Sequence, residues 1–235
     1  MNYEQFLSEG HKHFIPHLST DLVIIAYHED KLKCLLLRIA DEWMLPGGFI
    51  GMEESVDTAV ERVLRSRTGL TDPYLRFLSV FGDGSRAFGD VWKAHFERGQ
   101  VKWNPDYWIN KRFVTLTYYS LVNYEETQPA IQDFDEEFGW FAFDKLPKIT
   151  MDHEAILHKA RQTLKEEVGL EHLSYNLLPE KFTMPQLHQL HQHILEENID
   201  RSRFQKKMLA SGLFKRLPKL KKDTPGRNPY LYTKI

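Results

Sequence analysis

The stretch from Gly48 to Leu70, GFIGMEESVDTAVERVLRSRTGL, decides the fold. Four of its apolar residues recur at helical spacing: Val56, Val60, Val63 and Leu64. This spacing predicts a helix over residues 54 to 68, and Gly69 is the residue type that ends helices. The preceding loop, Leu45-Pro46-Gly47-Gly48, allows the backbone to come close to whatever lies in a neighbouring cleft.

Apolar, β-branched runs on both sides of this helix predict strands. Residues 21 to 28 (DLVIIAYH) and 31 to 39 (KLKCLLLRI) are joined by Glu29-Asp30, which predicts a hairpin turn. The remaining predicted elements are strands at about 75 to 82, 113 to 123 and 136 to 143, and a helix from about 153 to 168 between Asp152 as N-cap and Gly169. Mixed strands with helices on opposite sides predict the α/β class, as an α/β/α sandwich.

The opening stretch resembles the Nudix box, the signature of the Nudix hydrolases. It matches the box at six positions: Gly48, Glu54, Arg62, Leu64, Gly69 and Leu70. It lacks the glutamates that follow the arginine, because Val63, Ser66 and Arg67 occupy their positions. The resemblance covers roughly residues 15 to 168 and implies a Nudix-type α/β/α sandwich.

The missing glutamates bear directly on chemistry. In Nudix enzymes they bind divalent metal ions, which polarise the phosphate and help to activate water. A hydroxyl is a poor substitute for a carboxylate ligand, and the guanidinium of Arg67 repels a cation. We therefore predict no catalytic residues, no metal and no cofactor, and a cleft that binds a small molecule without turnover. The alternative is an active hydrolase of ADP-ribose or another nucleoside diphosphate derivative.

Charge is distributed unevenly along the chain. Residues 199 to 235 contain eleven Lys and Arg against two acids, although the 235 residues together carry a formal net charge of −2. A basic end of this kind predicts a polyanionic partner. The single cysteine, Cys34, the absence of a long apolar run and the lack of a secretory pattern at the start favour a cytoplasmic protein without membrane contact.

The basic end has the pattern of a winged helix-turn-helix. Thr183 and Gln186 form a capping box ahead of one helix, and Asp200 caps a second helix from Arg201 to about Ser211. Residues 213 to 217 and 230 to 234 then predict a hairpin. The expected division is an effector-binding domain over 1–168, a linker over 169–181 and a DNA-binding domain over 182–235.

The second helix carries side chains of the types that contact DNA. Arg and Gln recognise guanine and adenine edges, while Lys and Ser mainly hold phosphates. The candidate DNA-binding residues on this helix and on the hairpin loop are Arg201, Ser202, Arg203, Gln205, Lys206, Lys207, Lys221, Lys222 and Arg227. A small accessory domain for dimerisation stays open as an alternative.

Taken together, the two units resemble the Nudix-related transcriptional regulators of bacteria. The resemblance implies a homodimer, usually a repressor, that binds a palindromic operator in double-stranded DNA. It also implies a small-molecule effector held by the Nudix domain. Some relatives sense ADP-ribose and control NAD metabolism, and others sense pentoses such as arabinose and control sugar use.

An aromatic-rich insertion of about thirty residues separates the strand ending near Phe81 from the strand starting at Phe113. Aromatic and Arg side chains suit stacking on a sugar or base and pairing with phosphate, which slightly favours a sugar. The candidate effector-binding residues are Arg38, Gly48, Phe49, Arg86, Trp92 and Arg112. The alternative is a surface excursion or a dimer arm folded over its own small core.

The C-terminal histidines and a protein-binding role are two further possibilities. His188 and His191 are three residues apart and could share a metal, but no cysteine accompanies them and surface histidines are expected instead. A protein-interaction module without affinity for DNA is the third functional hypothesis.

Overall fold

The computed structural model of the chain describes residues 3–89, 93, 96, 103–132, 135–171, 173–220 and 228–235. The strands within these ranges are β1 Phe14–His28, β2 Lys31–Ile39, β3 Glu42–Met44, β4 Gly47–Gly51, β5 Tyr74–Phe81, β6 Val114–Val122, β7 Glu137–Ala142, β8 Phe182–Thr183, β9 Phe214–Lys219 and β10 Tyr230–Lys234. The α-helices are α1 Tyr3–Glu9, α2 Val56–Thr68, α3 His153–Glu171, α4 Met184–Leu195 and α5 Arg201–Ala210.

The N-terminal domain is built on a mixed sheet whose main strand order is β3-β2-β1-β6-β5. Strand β1 is long enough to pair with β4 through its first half and with β2 through its second half. It also runs parallel to β6 from Leu18 to Ala26, and the other pairs are antiparallel. The loop between β3 and β4 is thereby held against the middle of β1.

Alternation along β1 divides the core into two layers. Leu22, Ile24 and Ala26 face α2 and its buried residues Val60 and Val63. The intervening side chains face α3, because successive residues of a strand point to opposite sides of the sheet. This arrangement confirms the predicted sandwich with helices on opposite faces.

Several predicted boundaries need correction. Strand β1 begins at Phe14 rather than at residue 21, because its first half pairs with β4, whose residues Gly47 and Gly48 were expected to lie in a loop. Helix α3 continues through Gly169 to Glu171, so this glycine does not end it. Gly69, by contrast, ends α2 with a φ of 72°, as predicted.

The C-terminal domain has the predicted winged-helix order. Thr183 and Gln186 form the expected capping box of α4, and the Asp200 carboxylate accepts a hydrogen bond from the Arg203 amide at the start of α5. Strands β8, β10 and β9 form a small sheet beside these helices. No helix among the described residues has the length and apolarity to cross a membrane.

The two domains share one continuous apolar core. Residues of α3, among them Leu164 and Val168, belong to the same cluster as Leu187 and Phe204 of the helix-turn-helix. The predicted linker contributes to this cluster through the buried side chain of Leu177. The segment between the domains is therefore packed rather than extended.

Contacts within the protein hold Cys34, His188 and His191. Cys34 belongs to the apolar core, and burial raises the pKa of its thiol to about 12. His191 is buried rather than on the surface, and its Nε2 lies 2.7 Å from Ser174 Oγ. His188 Nε2 bonds instead to the carbonyl of Ile199, so the two rings have different partners.

Candidate functional site

The start of α2 is fixed by residues that survive from the box. Ser55 caps the helix by accepting a hydrogen bond from the Thr58 amide. Glu54 accepts hydrogen bonds from the Gly51 amide at 2.6 Å and from the Arg62 guanidinium. The bond to Arg62 holds the pKa of the Glu54 carboxyl below its usual value. Glu54 and Arg62, which both match the box, thus hold the loop before α2 against the helix.

The positions of the missing glutamates have other roles. Val63 is buried and packs so closely on Gly48 that a Cβ on this glycine would lie 2.7 Å from Val63 Cγ2. The Ser66 hydroxyl donates to the Val63 carbonyl at 2.8 Å. Neither position offers the carboxylate oxygens that Mg²⁺ takes as ligands.

Arg67 forms a buried ion pair with Asp135. Its Nη1 donates to Asp135 Oδ2, and the Asp135 side chain is 0% exposed. Asp135 belongs to the loop before β7, which is also held by a bond from the Ala130 amide to the Arg67 carbonyl. No group of three His, Cys, Asp or Glu within the described ranges is arranged to hold a metal ion. Val63, Ser66 and the ion-paired Arg67 thus supply no carboxylate oxygen at these three positions.

A partly open cavity of about 90 Å³ lies between the β3–β4 loop, β1 and α2. Its polar lining residues are Ser19, Asp21, Arg67 and His153. Its other lining residues are Leu37, Ile39, Met44, Leu45, Gly47, Gly48, Phe49 and Phe88. The cavity lies beside the positions that carry metal in an intact box, and Arg67 reaches into it from one of them.

A buried charge network forms one wall of this site. Arg86 is almost fully buried; its Nη2 donates to Asp21 Oδ2 at 2.7 Å and its Nε to Asp152 Oδ2 at 3.0 Å. His153 Nδ1 accepts a hydrogen bond from the Leu45 amide at 3.0 Å. Burial lowers the pKa of His153, so the ring is neutral near pH 7 and carries its proton on Nε2.

The cavity contains only some of the predicted effector residues. Gly48 and Phe49 line it, and Arg86 lies directly behind Asp21. Arg38 lies on the opposite face of β2 from the lining residues and pairs with acids that include Asp41 and Glu136. Arg112 donates to the carbonyls of Gly82 and Asp83. Trp92 lies outside the described residues.

Three polar residues of the cavity were not predicted from the sequence: Ser19, Asp21 and His153. The available signal for Asp21 was a carboxylate at the start of an otherwise apolar run, and His153 follows the predicted N-cap Asp152. The Asp152 carboxylate does precede α3, but it holds Arg86 across the site. These side chains come together only because β1 and α3 meet in the folded chain.

The described part of the insertion forms a small aromatic core. Trp108 is buried against Phe6 of α1, and its Nε1 donates to the Phe6 carbonyl at 2.8 Å. Phe49 packs edge-on against Trp108 with 4.7 Å between ring centroids. Among the aromatic residues of the insertion, Trp108 is thus engaged in packing, while Phe88 faces the cavity.

Helix α5 presents a basic surface. Phe204 and Met208 are buried, and the six predicted DNA-binding residues on this helix are exposed: Arg201, Ser202, Arg203, Gln205, Lys206 and Lys207. Lys207 turns towards the N-terminal domain, since its Nζ lies 3.4 Å from the Gly169 carbonyl. Leu209 is also exposed, although it was not among the predicted DNA-binding residues.

The strands of the wing extend this basic surface. Arg216 and Lys219 lie over the exposed ring of Tyr230, at 4.6 Å and 5.3 Å from its centroid. Neither Arg216 nor Tyr230 was among the predicted contacts. Lys221, Lys222 and Arg227 lie outside the described residues.

The comparisons with known proteins match this two-part architecture. A NUDIX domain model matches residues 17–160, which is more than half of the chain. The chain belongs to the Nudix family. A second model, the NrtR DNA-binding winged helix domain, matches residues 174–233. The C-terminal domain is thus similar to the DNA-binding winged helix domain of NrtR.

Individual relatives have the same organisation. The chain is 26% identical over 207 residues to the ADPR-responsive transcriptional repressor NtrR of Acinetobacter baylyi, covering 84% of this chain and 74% of that one. It is similar to the crystal structure of Shewanella oneidensis NrtR complexed with a 27mer DNA, with a TM-score of 0.73 and 25% identity over 93% of both chains. A MutT/nudix family protein from Enterococcus faecalis shares the fold, with a TM-score of 0.67 and 22% identity, covering 100% of this chain and 94% of that one.

Proposed function

We propose that this protein is an effector-responsive transcriptional repressor that binds a palindromic operator as a homodimer. The observation that carries the proposal is the exposed basic face of α5 in a winged helix of the NrtR type. An exposed recognition helix beside a basic wing suits major-groove contact. The similar Shewanella protein was crystallised with DNA, which supports the same role for this chain.

We further propose that the Nudix cleft binds an ADP-ribose-like or sugar metabolite and does not hydrolyse it. Val63, Ser66 and the ion-paired Arg67 supply no carboxylate for magnesium, and Glu54 is engaged by Arg62 and Gly51. The ADPR response of the Acinetobacter repressor supports an effector of this class. The binding residues proposed are those of the cavity, together with Arg86 behind it.

Helix α3 offers a physical route from the cleft to the DNA-binding domain. Its first residue, His153, lines the cavity. Farther along, Arg161 and Lys165 pair with Glu196 at the end of α4. A ligand that shifts α3 changes the orientation of the helix-turn-helix, provided that it binds the two arrangements with different affinity.

The direct test measures DNA binding by fluorescence anisotropy. The protein is titrated onto duplexes from the regions upstream of its own and neighbouring genes, with shuffled duplexes of equal length and composition as controls. We expect an upstream duplex to bind at least about a hundredfold more tightly than its shuffled control at physiological salt, and ADP-ribose or a pentose to change that affinity. Equal affinity for upstream and shuffled DNA would contradict the proposal.

Hydrolysis is tested separately. Wild-type protein incubated with ADP-ribose and Mg²⁺ is expected to release no AMP above a protein-free control. Magnesium-dependent AMP release that is abolished in Glu54→Gln would instead support the hydrolase alternative. This assay does not depend on DNA binding, so hydrolysis and DNA binding are tested independently.

A further inference from the structure

We infer that an outer surface of the Nudix domain docks an extended segment of another protein in which apolar and basic side chains alternate. The surface, the β5–β6 patch, consists of Phe77, Val80, Val114, Leu116 and Tyr118. The groove beside it shares no lining residue with the cavity beside Gly48, and α5 is not part of it. This docking is therefore independent of the proposed effector and DNA binding.

Strand β5 forms an outer edge of the mixed sheet. Among the described strands it pairs with β6 alone, so no described strand pairs with its other side. An extended segment can add to such an edge through main-chain hydrogen bonds, and the side chains beside the edge then select which segment binds. The edge of β5 therefore offers the backbone part of a docking site.

A β-bulge just after Phe77 brings two apolar side chains of β5 to the same face of the sheet. Phe77 lies opposite Tyr118, and after the shift in register Val80 lies opposite Leu116. Leu116 and Tyr118 are two residues apart on β6 and point to one face, so their partners on β5 point there too. The Phe77 ring packs edge-on against Tyr118, with 5.4 Å between ring centroids. The patch is thus one continuous apolar surface.

Helix α2 covers only part of this face of the sheet. Phe77 is 50% exposed and Val80 is 53% exposed, while Leu116 and Tyr118 are partly buried. Leu64 of α2 lines a groove of about 660 Å³ together with Phe77 and Tyr118. Contiguous exposed apolar surface is typical of protein-binding sites. An apolar side chain of a segment paired with β5 can enter this groove.

The groove beside the patch is acidic. Asp57 and Glu61 of α2 and Asp72 of the following loop are exposed and line it. Arg76 also lines the groove, but its Nη1 lies 3.3 Å from Glu167 Oε2, so its charge is already engaged. Three carboxylates beside apolar side chains attract a partner that presents Lys or Arg next to its own apolar residues.

The same charges argue against a second copy of this chain on the patch. A two-fold dimer places each surface against its own counterpart. Asp57, Glu61 and Asp72 would then approach the same carboxylates of the partner subunit, and like charges brought together oppose association. A basic segment of a different protein meets attraction at these positions instead.

Fluorescence anisotropy with labelled heptapeptides tests the docking on the full-length protein. The probe peptide KVKFKVK alternates basic and apolar residues, and the control peptide KGKGKGK has the same charge without apolar side chains. We expect KVKFKVK to bind saturably and at least about tenfold more tightly than KGKGKGK. Equal affinity of the wild-type protein for the two peptides would overturn the inference, and this comparison needs no variant.

A matched pair of phenylalanine variants locates the binding. Phe77→Ser is expected to lower the affinity for KVKFKVK by about tenfold, because it removes apolar surface from the centre of the patch. Phe138→Ser is the control, since Phe138 is 42% exposed on β7, away from the patch, and it is expected to bind like wild type. Circular dichroism confirms that each variant is folded. Equal affinities of the two variants would overturn the inference.

A second pair tests the acidic groove. Glu61→Gln is expected to weaken KVKFKVK by about two- to threefold and to reduce the salt dependence of its binding. Glu166→Gln, the same change at an exposed site of α3, is expected to leave both unchanged. The same loss in both variants would show that the peptide responds only to total charge, which contradicts docking at the patch.

Sedimentation velocity and DNA binding separate this docking from the proposed function. Wild type and Phe77→Ser are expected to have the same mass in solution and the same affinity for the operator. A halved mass in Phe77→Ser would assign the patch to a second copy of the chain and overturn the inference. Equal affinity of the wild-type protein for upstream and shuffled DNA is a failure of the repressor proposal alone.

Discussion

Arg161 on α3 and Glu196 at the end of α4 form an ion pair across the two domains, with 3.0 Å between Arg161 Nη2 and Glu196 Oε1. The same Arg161 nitrogen donates to the His193 carbonyl, and Lys165 pairs with the second Glu196 oxygen. The Tyr27 hydroxyl, from β1, lies 2.6 Å from His193 Nδ1. The turn between α4 and α5 is therefore held by groups of the Nudix domain.

Glu196→Gln is expected to reduce the response of DNA affinity to the effector. The substitution removes the charge that both Arg161 and Lys165 bind, which loosens the helix-turn-helix from α3. The stability change is small, at about 1 kcal/mol or less, because Glu196 is largely exposed. Anisotropy titrations with and without effector measure the ratio of affinities. Glu166→Gln, an equal charge change at an exposed site of α3, is the control, and an unchanged ratio in both variants would contradict the prediction.

Asp135→Asn is expected to destabilise the fold by about 3 kcal/mol, because it leaves the Arg67 guanidinium buried without its counter-charge. Urea denaturation followed by circular dichroism measures the loss. Asp106→Asn is the matched control, since the Asp106 side chain is 86% exposed and its Oδ1 lies 3.7 Å from Lys111 Nζ. Equal stability of the two variants would show that the Arg67–Asp135 pair contributes little.

The elements that sequence analysis predicted best are those specified by neighbouring residues. Helix α2 follows from apolar spacing and Gly69, and the capping box of α4 follows from Thr183 and Gln186. Each of these signals acts within a few residues of the chain, where local hydrogen bonds decide the outcome.

The candidate site was predicted less well because it depends on long-range pairing. Asp21 and Asp152 are brought together by Arg86 from the insertion, and spacing in the sequence does not encode that contact. Arg38 was placed near the cleft, but strand alternation turns it away from Leu37 and towards acids on the surface. The sequence shows where arginines occur, but it does not indicate which of them pair with acidic side chains in the folded protein.

Lowering the pH is expected to destabilise the protein through His153. Burial lowers the pKa of this group below its ordinary value of 6.5, against the opposing influence of Asp21 and Asp152 and with the help of Arg86. The unfolded chain therefore binds a proton that the folded chain does not, so the free energy of unfolding falls as the pH drops below about 6.5. Urea titrations between about pH 5 and pH 8 measure this slope.

Two histidine variants identify the source of the slope. His153→Gln is expected to flatten the decline of stability towards acid pH, because glutamine does not titrate. His158→Gln, at an exposed position of α3, is expected to keep the wild-type slope. If His158→Gln loses the pH dependence of the free energy of unfolding and His153→Gln keeps it, titration of a surface histidine causes the decline.

Arg203→Ala and Lys219→Ala are expected to impair DNA binding in different ways. Arg203 is exposed in the first turn of α5, where recognition helices contact base edges, so its loss should cost about 1–3 kcal/mol on the operator and little on shuffled DNA. Lys219 lies on the wing over Tyr230 and suits a phosphate contact. Its loss should weaken binding to both duplexes alike and lower the slope of log affinity against log salt by about one. Lys159→Ala, exposed on α3, controls for the loss of one positive charge. The same loss of specificity in Arg203→Ala and Lys219→Ala would reject this division between base contact and phosphate contact.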